Sequence, residues 1–217
     1  FEKLKLTDKL TVIQDDIVVG SGNNLLEGET LSFEDHLYNL MLPSSNTSAN
    51  CIARYAYGSV QNFVDKMNEK VSEFGLTDTF CMNPSGLLIA GQYTTPKDMA
   101  MIACEYRKVE HLNNIWKVQN HDLTIEKKDG SIRKLNVVST FTYANDRTYE
   151  GHKTGSLGDM GNVVFFVRLP YDYLAVVVLM GGEKDEMRNR DIMKSSDILF
   201  HNFRYIPERN GIFENLI

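Results

Sequence analysis

Residues Tyr149–Asn162 read YEGHKTGSLGDMGN and run directly into the apolar stretch Val163–Leu169. The chain pattern here is strand-like. In an extended strand alternate side chains share a face, so Lys153 and Gly155 point one way, and Thr154 and Ser156 the other. Gly155 would let a substrate backbone lie close along the strand. Lys153 supplies positive charge, and the neighbouring hydroxyls can bind a carboxylate. From these residues alone, a solvated lysine at a strand start is the more ordinary reading.

Outward from this strand, the second half of the chain is β-rich. NVVFFVRL and YLAVVVLMGG form a second, largely buried hairpin joined at Pro170-Tyr171-Asp172. Upstream, HDLTIEKKDGSIRKLNVV is a hairpin whose Asp129-Gly130 pair suits a type I′ turn. Downstream, a closing helix is expected over about 186–203, with Ile192, Met193, Leu199 and Phe203 facing inward. The first half is helical. GETLSFEDHLYNLML reads as a helix with Ser32 as N-cap, Asp35 at the third helical position, and Leu37, Leu40 and Met41 on its apolar face. Pro43 stops it. A second helix covers about 49–57. A third places Phe63, Met67, Val71 and Phe74 on one stripe and ends at Gly75. A fourth opens with Thr95 as N-cap, Pro96 at the first position and Asp98 at the third. Helices, then an antiparallel meander, then a helix indicate an α+β fold, an antiparallel sheet packed with helices.

The chain has 217 residues, 42% hydrophobic and 24% charged, with a formal net charge of −6. That length buries a proper core, and the charge argues against a nucleic-acid partner. No run reaches the roughly 18 apolar residues of a membrane span. Cys51, Cys81 and Cys104 show no metal-ligand spacing and read as buried free thiols. The histidines show no metal spacing either, so no metal and no cofactor is expected. His152 is expected to line the face opposite Lys153, without an assigned role.

A second chemistry-bearing element is Ser44-Ser45-Asn46, on a turn between Pro43 and a helix start. A serine hydroxyl and an amide held two residues apart can pass a proton and bind a substrate amide. Taken alone, the turn reads more simply as Ser45 or Asn46 capping the following helix.

In this order, Ser44-x-Asn46 and Lys153-Thr154-Gly155 resemble the serine D-alanyl-D-alanine carboxypeptidases, the low-molecular-mass penicillin-binding proteins of peptidase family S11. The likeness extends to KLKLTDKLTV, LMLPSSNTSANCIARYAYGS, FVDKMNEKVSEFGLTDTFCMNPSGL, GQYTTPKDMAMIA and VVVLMGGEKDEMRNRD. It implies a β-lactamase/transpeptidase-like fold, with residues 1–206 as the carboxypeptidase domain and 207–217 as a tail. It also implies an extracytoplasmic hydrolase that removes the terminal D-alanine from peptidoglycan stem peptides ending in D-Ala-D-Ala, through a serine acyl-enzyme, with β-lactam antibiotics as inhibitors. Carried over residue by residue, Ser44 would relay a proton to the leaving amine and Asn46 would hold the substrate amide. Lys153 and Thr154 would anchor the terminal carboxylate, Gly155 would admit the substrate, and the Ser156 N–H would form half of the oxyanion hole. Arg188 would favour the substrate carboxylate.

The family also uses a Ser-x-x-Lys nucleophile at a helix start. The one such spacing, Ser131–Lys134, falls in a predicted hairpin, after the Ser44 element rather than before it, and is set aside. The acylating serine and its lysine are therefore expected upstream of Phe1, the fold as given being N-terminally incomplete. Without that helix, this stretch is expected to be unstable or to pair with itself, and membrane anchoring cannot be read from it. Two other readings share the fold. One is a catalytically inactive wall-binding or regulatory domain. The other is a class A-like β-lactamase, which wants a Glu-x-x-Leu-Asn loop; Glu110-His111-Leu112-Asn113 is one residue short of it.

Overall fold

The computed structural model describes residues 3–141, 143, 146, 148–184, 190–206 and 212–215. The chain divides into two compact units, Phe1–Asp98 with Val118–Thr140, and Met99–Lys117 with Phe141–Ile217.

In the first unit, strands β1 (Lys9–Thr11), β2 (Thr30–Ser32), β3 (Asn120–Glu126) and β4 (Ile132–Val138) form an antiparallel sheet in the order β1-β2-β3-β4. Alternation buries Leu10, Leu31, Leu123, Ile125 and Val137. Helices α1 (Phe33–Met41), α2 (Asn46–Tyr57) and α3 (Val60–Glu73) belong to the same unit. Helix α1 begins directly behind the Ser32 cap that the sequence suggests, and Leu31 before it pairs with Leu10 in the sheet. Ser32 ends β2 and caps α1, accepting from the Asp35 N–H at 3.0 Å. The buried face of α1 carries Phe33, His36, Leu37 and Asn39, so two polar side chains stand where an apolar stripe was expected. Helix α2 starts three residues earlier than 49, at Asn46, behind a Ser45 cap. On α3 the expected stripe is fully buried at Val71, with Phe63, Met67 and Phe74 half-buried, and Val64 is buried beside it.

The β3–β4 hairpin forms, but its turn differs from expectation. Gly130 has φ +81°, and Asp129 is not left-handed. The Gly130 N–H donates to the Lys127 carbonyl at 2.9 Å, and the Lys127 N–H to the Ser131 carbonyl at 2.8 Å. This is a three-residue loop ending in a left-handed glycine rather than a type I′ turn. Ser131 is a turn residue and Lys134 a strand residue opposite Thr124, so they share no helix face.

Helix α4 (Pro96–Lys108) begins as the sequence predicts, with Thr95 Oγ1 accepting from the Asp98 N–H at 3.2 Å. The second unit contains α5 (Glu110–Trp116), β5 (Tyr149–Leu157), β6 (Met160–Arg168), β7 (Leu174–Glu183), α6 (Ile192–Asn202), and the small hairpin β8 (Phe203–Ile206) with β9 (Ile212–Asn215). The larger sheet is antiparallel in the order β5-β6-β7. Strand β6 reads as a continuous apolar run because both its faces are covered. Val163, Phe165 and Val167 join Phe141, Leu169 and Ile192 in a core against which Leu199 packs. On the other face Phe166 meets Trp116 edge-on at 5.5 Å. Strand β7 is only half-buried and Met180 is exposed, so the hairpin is buried on one strand rather than both. In α6, Met193 is exposed instead of inward, and Ser196 takes an inner position.

All three cysteines are free. Cys51 is buried, and burial pushes its thiol up to about 12. Cys104 is exposed, contrary to the expectation of three buried thiols. Among the described residues, no helix is long and apolar enough to cross a membrane.

Candidate active site

In the first unit, Ser44 has φ +63°, one of only two described non-glycine residues with positive φ. A left-handed serine costs on the order of 1 kcal/mol and persists only where its surroundings impose it. Those surroundings are visible. The next residue, Ser45, is fully buried; its N–H donates to the Asn39 carbonyl at 3.0 Å, and its hydroxyl caps α2 by accepting from the Ser48 N–H at 3.2 Å. The capping interpretation of this turn is therefore right for Ser45. It leaves Asn46 unexplained. Asn46 is 4% exposed, and its side-chain Nδ2 is buried with no hydrogen-bond partner. A buried amide donor left unpaired costs about 1–3 kcal/mol, which marks it as a group awaiting an acceptor.

The loop Gly20-Ser21-Gly22 packs on this turn. The Asn46 N–H donates to the Ser21 carbonyl at 3.3 Å. A Cβ on Gly20 would lie 2.7 Å from Asn46 Nδ2, and one on Gly22 only 2.5 Å from Ser45 Cα. Both glycines have positive φ, at +141° and +58°. Nothing in the stretch GSGNN at residues 20–24 announces this contact, since spacing does not say what a glycine lies against. Thr47 and Ser48 are also buried, which makes the start of α2 an unusually polar piece of interior. His36 is fully buried beneath it, and burial pushes its imidazole down to about 4.

In the second unit, Lys153, Thr154, Gly155 and Ser156 are consecutive on β5, the edge strand of the described sheet. Their orientation is set by a β-bulge. Tyr149 pairs with Val167 and His152 with Phe165, so Glu150 and Gly151 together oppose Phe166. Simple alternation from Tyr149 would put Lys153 on the core side. The extra residue reverses the phase, as bulges do. His152 turns inward and stacks on Phe141, with ring centroids 4.4 Å apart. Lys153 takes the opposite face, as the sequence suggested. Burial pushes His152 down to about 4.

The bulge is clamped from both of its residues. Glu150 pairs with Arg107 at 3.1 Å, Lys117 at 3.3 Å and Arg168. Gly151, at φ +72°, lies against the Trp116 indole, where a Cβ would approach within 3.2 Å. Lys153 keeps part of its side chain at the surface, but its ammonium is crowded by protein and donates to the Thr154 carbonyl at 2.9 Å. Burial pushes its pKa down to about 8. Gly155 is exposed, and a Cβ there would meet only Asn162 at an ordinary 3.7 Å. Arg188 lies outside the described residues.

The D-alanyl-D-alanine carboxypeptidase family, peptidase S11, matches residues 1–181. The chain belongs to this family. Among curated members, it is 27% identical over 206 residues to the D-alanyl-D-alanine carboxypeptidase DacF of Bacillus subtilis (strain 168), covering 94% of this chain and 52% of that one. It is 27% identical over 220 residues to DacA of Escherichia coli (strain K12), covering 97% and 52%. The chain thus spans about half the length of the curated relatives it matches. Among solved structures, the Streptomyces K15 DD-transpeptidase superposes with a TM-score of 0.82 at 26% identity, covering 89% of this chain and 79% of that one. The α+β, transpeptidase-like fold read from the sequence is the fold of this family. Glu110, the residue that a class A β-lactamase reading needed in a loop, instead opens helix α5 and is exposed.

Proposed function

We propose that this chain carries the substrate-holding and proton-relaying portion of a serine D-alanyl-D-alanine carboxypeptidase. Its substrate is a peptidoglycan stem peptide ending in D-Ala-D-Ala, met outside the cytoplasm, and β-lactams are its inhibitors. The observation that carries the reading is the Ser44–Asn46 turn: a strained serine beside a buried amide donor with no acceptor of its own. In the reaction a serine oxygen attacks the carbonyl between the two D-alanines. The C–N bond then breaks, the terminal D-alanine leaves as the amine, and water resolves the ester. Asn46 Nδ2 donates to the carbonyl of the substrate amide. The Ser44 hydroxyl passes a proton to the departing nitrogen. Lys153 supplies the charge that binds the terminal carboxylate, aided by the Thr154 hydroxyl, while Gly155 leaves room for the peptide. The Ser156 N–H donates to the oxyanion; losing one such donor typically costs about a hundredfold or more in rate. Arg188 adds positive charge for the same carboxylate. No residue of this chain is assigned the attacking role, since Ser131 and Lys134 lie in a hairpin.

An inactive wall-binding domain of the same fold would use the same cradle without turnover. The two readings separate on D-alanine release from a synthetic peptide ending in D-Ala-D-Ala, using the protein expressed from its complete coding sequence. A lysine with a pKa near 8 loses its charge above that pH, so kcat/KM should fall as pH rises through about 8. Lys153→Arg, always charged, should flatten that limb. Binding of the peptide with no D-alanine release, and no covalent labelling by a fluorescent penicillin, would sink the carboxypeptidase reading in favour of the binding domain.

A further inference from the structure

We propose that Asn39 is a positioning residue for the serine turn, a buried carboxamide that fixes Ser44 and Asn46 by tying their turn to the Gly20–Gly22 loop. The inference rests on the carboxypeptidase reading only for its kinetic consequence. Asn39 is fully buried on α1. Its carbonyl accepts from the Ser45 N–H at 3.0 Å, so wherever the Asn39 backbone goes the serine turn follows. Its side chain reaches both neighbours of that turn. Nδ2 donates to Ser48 Oγ at 2.9 Å, in the first turn of α2, and to Asn24 Oδ1 at 3.0 Å. Oδ1 accepts from Asn24 Nδ2 at 2.7 Å, closing a reciprocal amide pair. Asn24 in turn donates its N–H to the Gly22 carbonyl at 2.9 Å, and Gly22 is the residue whose missing Cβ lets the loop touch Ser45.

The network has a defined direction. The Leu10 carbonyl can only accept, so His36 Nε2, 3.2 Å away, carries the hydrogen. With the imidazole neutral, Nδ1 is an acceptor, and the Ser48 hydroxyl 3.1 Å away donates to it. Ser48 Oγ then accepts from Asn39, whose two amide hydrogens are both used. Each link has a fixed donor and a fixed acceptor, which is what a buried network needs to hold a single geometry. Apolar residues of similar size would fill the same space on α1 without these directional demands, as its Phe33 and Leu37 do. The polar choice fits a requirement for exact placement of the turn beside it.

The test compares Asn39→Ala with Val71→Ala, a core truncation on α3 outside the network, in the protein expressed from its complete coding sequence and well below both melting midpoints. Two quantities are read: the second-order rate of acylation by a fluorescent penicillin, and amide hydrogen exchange at Ser45 and Asn46. Asn39→Ala should slow acylation by about tenfold or more and speed local exchange by at least as much beyond the global change. In steady-state assays the loss should fall on kcat rather than KM. Val71→Ala should leave the acylation rate within about twofold. An acylation rate unchanged in Asn39→Ala overturns the proposal, and so does local exchange that merely follows global stability. If the unsubstituted protein is not acylated at all, the carboxypeptidase reading fails, and the exchange measurement still decides whether Asn39 fixes the turn.

Discussion

The serine turn of the first unit and the lysine strand of the second hold their chemistry by opposite means. The turn is enclosed by polar interior: Ser45, Thr47 and Ser48 are buried and hydrogen-bonded by α1 and a neighbouring loop, and Ser44 holds a backbone conformation that serine resists. The strand is open at its working end, where Gly155 and Ser156 are exposed, and it is backed by an apolar core that touches only its start. A rigid polar nest suits groups that must pass a proton and meet one amide at a fixed distance. An open strand suits a bed along which an extended peptide is laid. The contrast predicts that the serine turn punishes a single added methyl and the open end of the strand tolerates it.

The largest effect should therefore come from Gly22→Ala. The new Cβ would stand 2.5 Å from Ser45 Cα, a backbone atom that cannot rotate away, at a φ of +58° that alanine resists. Overpacking and left-handed strain together suggest a loss of about 2–4 kcal/mol of unfolding free energy, measurable by urea titration. A loss below 1 kcal/mol would mean that the loop is free to retreat, and the contrast between the two regions would weaken.

How much of this was legible beforehand follows from which forces are local. Helix caps at Ser32 and Thr95 and the two large hairpins were readable or nearly so, because a cap or a turn is decided within four or five residues. The Ser44–Asn46 and Lys153–Ser156 stretches were singled out by their order and their family resemblance, not by forces local to either stretch. The bulge was not. Counting alternation from Tyr149 gives the wrong phase, and what corrects it is Trp116 against Gly151 and three cations on Glu150, all brought from elsewhere in the sequence. The network around Asn39 was invisible for a second reason. An apolar-stripe criterion scores Leu40 and Met41 on α1, yet it is His36 and Asn39 that are buried, because partners on β1 and α2 satisfy them.

An effect of comparable size for each residue, shared by both regions and set by pH rather than by an added methyl, comes from acid. His36 and His152 are both buried neutral, with pKa values pushed from 6.5 to about 4 by burial. Between those values the unfolded chain binds the protons that the folded one refuses. Stability is then fully present above about pH 6.5 and is lost as pH falls toward 4, by up to roughly 3 kcal/mol for each histidine. Urea unfolding at pH 7 and pH 4 measures the sum. His152→Leu, whose side chain suits the apolar surroundings of Phe141, should remove about half of the difference. If the pH dependence is unchanged in that variant, His152 does not titrate as its burial requires.

The smallest effect on stability, and the sharpest on the contrast, is expected from Gly155→Ala. Its φ is not left-handed, and the new Cβ would meet Asn162 at 3.7 Å, an ordinary van der Waals contact. The unfolding free energy should move by no more than about 0.5 kcal/mol, the usual range for a surface change. If β5 is the bed on which the peptide lies, the same methyl stands where the substrate backbone must pass. D-alanine release should then fall by about tenfold or more, with penicillin acylation slowed in parallel. A variant that is both stable and fully active would place the peptide elsewhere, leaving the glycine of the Lys-Thr-Gly triplet a matter of strand packing alone. A variant that is stable and slow would show that this position is kept bare for the ligand rather than for the fold, the reverse of Gly22, whose bareness the fold itself demands.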